Sequence, residues 1–559
     1  MHLSIPRTCA ILAFAILSLL PSVPALADPA TIPIFFTGDP VPGAGVTGSG
    51  VPSGAVWTGF GSPCVDEAYN ITFIGKYKSG TAHVTAIFSG SLTNFSSLGQ
   101  RARVGDPAYF VYGSHSSVVY RSFSDPFLVG KGKIAFLAKV GVPGQPAVTG
   151  VFTNAFEGYY GNIPSPFSSL IRVGDGDTLN TVVKSITSVI GLSDQNGFTF
   201  VVAGTDSDPV APKKVWYLNA PSGPGSNFLY SVFNSGDPIY TGAVSGGNEA
   251  IKSTTLLKSH AGSPAQGHDG LVDINNNTDF SFKVTTASGT GIGNFEACLD
   301  FFQVAHFTKR PETILGESLY FTSFGQPTLT SEGYLAWVGT FKGAADITSA
   351  NNTGIFLDAG FTDSGSPTLI AQKGNTVSGL PSTITLSSFK DPIPADNGRG
   401  AFLATIVDKV NLGTVTSANN LCLLDFSGNL LARKGAQAPD APVGANFASI
   451  SSVVFPTGAY GPAFVASLVK NVAGIDATNA TGIWGVTDAF GTVDCLMRQG
   501  DNVSGKILKS FVTLKASAGT PAQPREYTNK PPPFIFFNAS FTDHTSGLVA
   551  LALPTPTPN

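Results

Sequence analysis

The histidines are the side chains of this 559-residue chain best suited to proton exchange near neutral pH, and there are only seven of them. His260, His268 and Asp269 fall in one loop-rich stretch, and His306 follows further along. Together they could make an acid–base or metal site. None has the H-E-x-x-H spacing that sets two ligands on one helical face, so solvated loop side chains are the plainer reading. Asp175-Gly176-Asp177 comes nearest to a calcium-ligand run such as D-x-D-x-D-G. A strand-exit turn explains it more simply, with Gly at positive φ and Asp capping its own backbone. No G-x-S-x-G elbow, P-loop or G-x-G-x-x-G on a strand–helix unit is present, nor an S-x-D-x-G-x-T-W box. The remaining carboxylates cannot be paired for glycoside chemistry from sequence. No cofactor is implied.

The elements that would position these residues are strands. No long stretch shows a 3.6-residue apolar period; short apolar runs are punctuated by Gly, Pro, Asn and Asp. One pattern recurs. An apolar run ends in a glycine turn at Gly38-Asp39, Gly105-Asp106, Gly174-Asp175, Gly236-Asp237 and Gly500-Asp501. Looser versions stand at Gly316-Glu317, Gly374-Asn375 and Gly435-Ala436. Successive intervals are 67, 69, 62, 80, 58, 61 and 65 residues.

Between markers lie three more runs. The first often ends in F-x-x-P, as from Phe60 to Pro63, Phe123 to Pro126, Phe324 to Pro327 and Phe389 to Pro392. The second carries an aromatic in every unit: Phe73, Phe136, Phe200, Phe282, Trp337, Phe402, Phe464 and Phe537. Small residues flank it, so a ring on one sheet can fill space against the next. The third is of the type Gly354-Ile355-Phe356, and the fourth leads into the next marker.

Four short antiparallel strands repeated eight times predict an all-β fold, a β-propeller of eight four-stranded blades. Unit eight lacks a fourth strand, while residues 31–36 form one with no partners before it. The N-terminal run is therefore expected to pair with residues 547–553 and complete the last blade.

The domain division is a signal peptide over 1–27, a single propeller over 28–553 and a Pro/Thr tail over 554–559. Arg7 gives a positive start, residues 10–20 an apolar run too short to span a bilayer, and Ala25-Leu26-Ala27 a cleavage site. The mature chain is expected to be secreted, periplasmic or on the cell surface, a monomer with no membrane span. Cys64, Cys298, Cys422 and Cys495 are too scattered for a disulfide framework, and a Cys422–Cys495 bridge is not expected. Charged residues are 12% of the chain and the net charge is −4, with no basic run, which argues against a nucleic-acid partner. Seven N-x-S/T sequons occur, at Asn70, Asn94, Asn276, Asn351, Asn479, Asn502 and Asn538.

The stretches Gly132-Lys133-Ile134-Ala135-Phe136 and Gly333-Tyr334-Leu335-Ala336-Trp337, with residues 350–356 and 477–484, resemble the exported bacterial tandem-repeat proteins with an N-x-x-G-x-V-A-F motif. Members of that family often carry varied C-terminal anchors. The motif's Asn is replaced here by Val129 and Thr330, and no C-terminal anchor is visible. The resemblance implies a repeat fold and export, without a defined activity.

The functional expectation is a binding or structural module that engages a glycan or protein ligand. The alternative is an extracytoplasmic enzyme acting on polysaccharide at the channel mouth. A ligand site is expected among the unit-four loops, residues 263–269 included, because insertions in repeat folds map to loops.

Overall fold

The computed structural model describes residues 31–65, 69–110, 117–130, 132–155, 167–176, 181–194, 197–221, 229–240, 248–256, 271–272, 278–296, 301–314, 316–329, 334–358, 367–395, 398–456, 458–513 and 533–555. Every regular element among them is a β-strand, and the strands form eight principal antiparallel sheets, the blades of a β-propeller. Blade 1 runs Val56–Phe60, Asn70–Ser79, Ala82–Ser91, Asn94–Arg103, and blade 2 runs Val119–Phe123, Lys133–Gly141, Val148–Thr153, Ser168–Arg172. Blade 3 is Val183–Asp194, Gly197–Asp206, Lys213–Pro221, Leu229–Asn234. Blade 4 is Ser253–Leu256, Thr278–Thr285, Thr290–Glu296, Phe301–Phe307. Blade 5 is Glu317–Phe324, Leu335–Lys342, Thr353–Asp358, Thr368–Gln372. Blade 6 is Ile384–Phe389, Gly400–Asp408, Leu421–Asp425, Leu430–Arg433. Blade 7 is Phe447–Val454, Ala463–Leu468, Thr481–Val486, Val493–Arg498. Blade 8 takes Lys506–Thr513, Phe534–Phe541 and Ser546–Ala552, and its fourth place is filled by Thr31–Phe36, antiparallel to the third strand with Phe36 opposite Gly547 and Thr31 opposite Leu551.

Aromatic packing explains why these runs form sheets. Each second-strand aromatic is at most 1% exposed. In blades 1, 2 and 5 it stacks on its third-strand neighbour: Phe73 on Phe88, Phe136 on Phe152, Trp337 on Phe356, with centroids 5.7–5.8 Å apart. A first-strand ring meets that third-strand ring edge-on, as Trp57 does Phe88 and Phe321 does Phe356. The small residue two positions beyond the second-strand aromatic shares its face and leaves room for this ring. A Cβ on Gly339 would lie 2.6 Å from Phe321.

Sheet then packs on sheet around the molecule. One apolar cluster joins blades 1, 2 and 3, and the first strand of blade 3 lies against the second strand of blade 4. Further clusters join blade 4 to 5, 5 to 6, 6 to 7 and 7 to 8. Phe35, Phe534, Phe536 and Leu548 of blade 8 share a cluster with Trp57 and Phe73 of blade 1.

The marker turns have one geometry. The glycine N–H donates to a carbonyl in, or just before, the next blade's first strand, as Gly105 does to Tyr120 (2.9 Å) and Gly236 to Ile251 (2.7 Å). The carboxylates of Asp39, Asp106, Asp175, Asp237 and Asp501 accept the N–H three residues back at 2.6–3.0 Å. The structure corrects the fifth marker. Gly316 turns a short hairpin between Pro311–Ile314 and Glu317–Phe324. The turn equivalent to the others is Lys309-Arg310: the Lys309 N–H donates to Phe321 O (3.1 Å), and the Arg310 N–H to Phe307 O (3.2 Å). Lys309 sits at φ 70°, where the glycines of the other turns lie between 82° and 99°. The corrected intervals around it are 73 and 65 residues in place of 80 and 58, so unit four is less enlarged than its sequence suggested.

Candidate binding surface on the first strands

The first strand lies at the sheet edge in six blades, and in blades 5 and 8 a short strand, Pro311–Ile314 or Asn502–Val503, pairs with its start. In seven blades the pairing of the first strand with the second slips by one residue. The extra residue is Thr58, Arg121, Thr187, Thr322, Ser387, Ala448 or Lys509. A β-bulge of this kind bends the edge and re-aims the next side chain. The bulge residue's own hydroxyl can help the disrupted ladder: Thr187 Oγ1 donates to Ala203 O (3.0 Å), and Thr322 Oγ1 to Thr340 O (3.1 Å).

The residue after the bulge is Gly59, Ser122, Ser188, Ser323, Ser388, Ser449 or Ser510. In blade 4, which has no bulge in its first strand, Ser253 holds the matching place opposite Thr285. Seven blades thus present a serine at one register position; Ser122, Ser323, Ser388, Ser449 and Ser510 are exposed. Opposite them on the second strands stand Lys76, Lys139, Ala203, Thr285, Thr340, Thr405, Ser467 and Ser540. Hydroxyls pair across the strands: Ser388 with Thr405 (2.6 Å), Ser449 with Ser467 (2.6 Å), Ser510 with Ser540 (2.5 Å). Blade 1 has glycine at this place, with the Lys76 Cδ 4.0 Å from where a Cβ would stand.

The loops after these strands tie neighbouring blades together. Asp125 Oδ1 accepts the Ser62 N–H (3.2 Å), and Asp391 Oδ1 accepts the Gln326 N–H (3.1 Å). Burial raises the Asp125 carboxyl, against the Ser62 hydrogen bonds and the charge of Lys76. Asn538 Nδ2 donates to Gly61 O (3.0 Å), joining blade 8 to blade 1. The F-x-D-P loops were visible in sequence as strand ends; their use as inter-blade ties was not.

Of the residues singled out from sequence, His260, His268, Asp269 and Asp177 lie outside the described residues. Asp175 is committed to Arg172, accepting from its N–H (2.9 Å) and its Nε (2.6 Å). His306 is brought together with Glu312 and Asp358, neither of which the sequence had marked. Nδ1 meets Glu312 Oε2 at 2.6 Å and Nε2 meets Asp358 Oδ2 at 2.9 Å. Trp337 covers the ring at 4.4 Å between centroids, and Arg310 reaches Glu312 at 3.3 Å. Ionised carboxylates at both ring nitrogens favour the imidazolium, which can donate at each. Burial by itself would lower its pKa; the hydrogen bonds to Asp358 and Glu312 and their charges outweigh it and raise it. At 2% exposure, His306 clamps the seam between blades 4 and 5 and is closed to substrate.

A second ionic cluster is equally closed. Lys214 Nζ lies 3.1 Å from Asp208 and 3.7 Å from Asp206, and Thr181 Oγ1 donates to Asp206. Lys214 and Asp206 are 2% and 4% exposed. Cys64, Cys422 and Cys495 are free thiols. Burial pushes Cys422 up to about 11 and, with Asp501 adding to it, Cys495 up to about 12, so neither is a ready nucleophile. Cys298 lies outside the described residues. Among those described, no group of three or more His, Cys, Asp or Glu side chains is placed to hold a metal ion, and no helix is long and apolar enough to cross a membrane.

The sequons divide in a similar way. Asn351 Nδ2 donates to Asp346 O (3.0 Å) and Asn479 Nδ2 to Gly474 O (3.1 Å), each closing the hairpin before a third strand. Asn419, which is not in a sequon, does the same to Thr414 O (2.9 Å). These Asn residues of the A-N-x-T-G-I-W-like stretches are turn locks.

A model of a family of unknown function (DUF7453) matches residues 316–558, somewhat under half of the chain. A search of the curated proteins finds no match. Among solved structures, the chain is similar to the polysaccharide lyase Uly1 at 9% identity and a TM-score of 0.34, covering 80% of this chain and 93% of that one. It is similar to a rhamnogalacturonan lyase (PL11) of Bacillus licheniformis at 11% identity and a TM-score of 0.31, covering 95% of this chain and 76% of that one. A Trypanosoma rangeli sialidase matches at 11% identity and a TM-score of 0.30, covering 81% of this chain and 58% of that one. At such identities no residue role can be carried across from them.

Proposed function

We propose that this protein is an exported binding propeller whose ligand meets the serine-bearing first strands. One observation carries the reading. Across the bulge, serine and facing second-strand positions, the side chains are hydroxyls, cations and small apolar groups, without a single Asp or Glu. Carboxylate-based hydrolysis needs two carboxyl groups about 5–10 Å apart beside the substrate, and these positions supply none. The ionic clusters at His306 and Lys214 satisfy each other within the fold. The short serines that follow the bulges suit strands that converge on an axis.

Export is part of the proposal. It is supported by Arg7, the apolar run over 10–20 and the small residues Ala25 and Ala27, and by the resemblance to exported repeat proteins.

The test is a glycan and peptide array probed with the mature protein, with a double variant Ser388→Phe/Ser449→Phe and with a deletion of residues 263–269. Loss of the bound signals in the serine variant, with its melting temperature unchanged, is the expected result. Signals that survive in the serine variant but vanish in the deletion would move the site to the unit-four loop.

A further inference from the structure

We infer that the first-strand edge takes an anionic saccharide, a polymer bearing carboxylate or sulfate groups, with its charges over blades 8, 1, 2 and 4; this rests on the binding reading above. Charge around the ring is one-sided. At the bulge position stand Lys509 in blade 8 and Arg121 in blade 2, and Lys252 precedes the serine in blade 4. On the facing second strands, blades 1 and 2 add Lys76 and Lys139. All five are exposed. In blades 5, 6 and 7 the same places hold Thr322, Ser387 and Ala448, faced by Thr340, Thr405 and Ser467. Blade 3, with Thr187 and Ser188 facing Ala203, is neutral as well and lies within the arc, so four blades carry cations at these places and four carry hydroxyls or alanine.

The arc is not a by-product of a basic chain, whose net charge is −4. Nor do the cations sit in structural ion pairs that would explain them. Lys76 has the partly buried Asp125 nearby, which is occupied by Ser62. Arg121 Nη2 donates to the Val142 carbonyl (2.8 Å) and keeps its charge uncompensated there. Cations standing beside hydroxyls that both donate and accept match a ligand with anionic groups and many hydroxyls of its own. A single-stranded nucleic acid fits less well, because it needs aromatic platforms for its bases. The exposed large aromatic among the described residues is Phe490, on the hairpin between the third and fourth strands of blade 7, away from this edge.

The experiment measures binding of the mature protein to polygalacturonate, dextran sulfate, neutral dextran and single-stranded DNA at low and high salt. Binding to at least one of the two acidic glycans, weakening tenfold or more as salt rises, is expected. The variant Lys76→Gln/Arg121→Gln/Lys139→Gln, at unchanged melting temperature, should lose tenfold or more for that polymer. Full binding in the triple variant, no binding of either acidic glycan, or a preference for DNA would overturn the inference. Neutral dextran bound by the triple variant and lost in Ser388→Phe/Ser449→Phe would leave the edge as the site and remove only its anionic ligand.

Discussion

Two carboxylates and an aromatic ring hold His306 in the seam between blades 4 and 5. Its pKa is raised in the folded chain, so its contribution is complete below the unfolded value of about 6.5 and is lost as pH climbs through the folded value. His306→Gln leaves Glu312 and Asp358 without the imidazolium and should cost about 3 kcal/mol at pH 6. Chemical denaturation at a series of pH values should show the gap to the parent protein narrowing on the alkaline side. A gap that widens with pH would mean that the imidazole is neutral in the fold. Lys309 beside it holds a positive φ usually left to glycine. Its Nζ also reaches the Ser288 carbonyl at 2.5 Å, in a hairpin whose Ser288 and Thr286 are bound by Glu249.

In blades 1, 2, 5 and 7, rings from the first three strands pack together. Trp337 stacks on Phe356, covers His306 and is fully buried. Trp337→Ala removes a large side chain from a site where sheets on both sides limit collapse, and should cost about 3–5 kcal/mol. A thermal melt that moves by only a degree or two would show that neighbouring side chains can refill the cavity. Both rings of this stack were legible in sequence, as the W of L-A-W and the F of G-I-F. The serine that precedes the phenylalanine of F-x-x-P was also in plain view, in R-S-F, T-S-F and S-S-F. It carried no signal until the bulge gave it a common orientation.

At the scale of the whole molecule, the first of the described strands is the last strand of blade 8. Thr31–Phe36 pairs with Ser546–Ala552, and Phe35 packs against Trp57 and Phe73 of blade 1. Removing the chain through Phe36 strips an edge from blade 8 and a packed face from blade 1. The truncated protein is expected to melt well below the parent and to aggregate through the unpaired third strand. Equal melting temperatures would show that this strand adds little to the joint between blades 8 and 1.

The sequence by itself determined the class of fold and its repeat, because strand alternation, turn glycines and buried rings are local requirements that every unit must meet. It misplaced the fifth marker because Gly316 looks like a turn and Lys309 does not; only the hydrogen bond from Lys309 to Phe321 identifies the equivalent turn. It could not assemble His306, Glu312 and Asp358, which belong to two different blades and meet only when those sheets pack. The ring of serines and its cationic arc also belong to the tertiary structure. A side chain's sequence position says which strand it is on, whereas the register, the bulge and the order of blades decide which neighbours it faces.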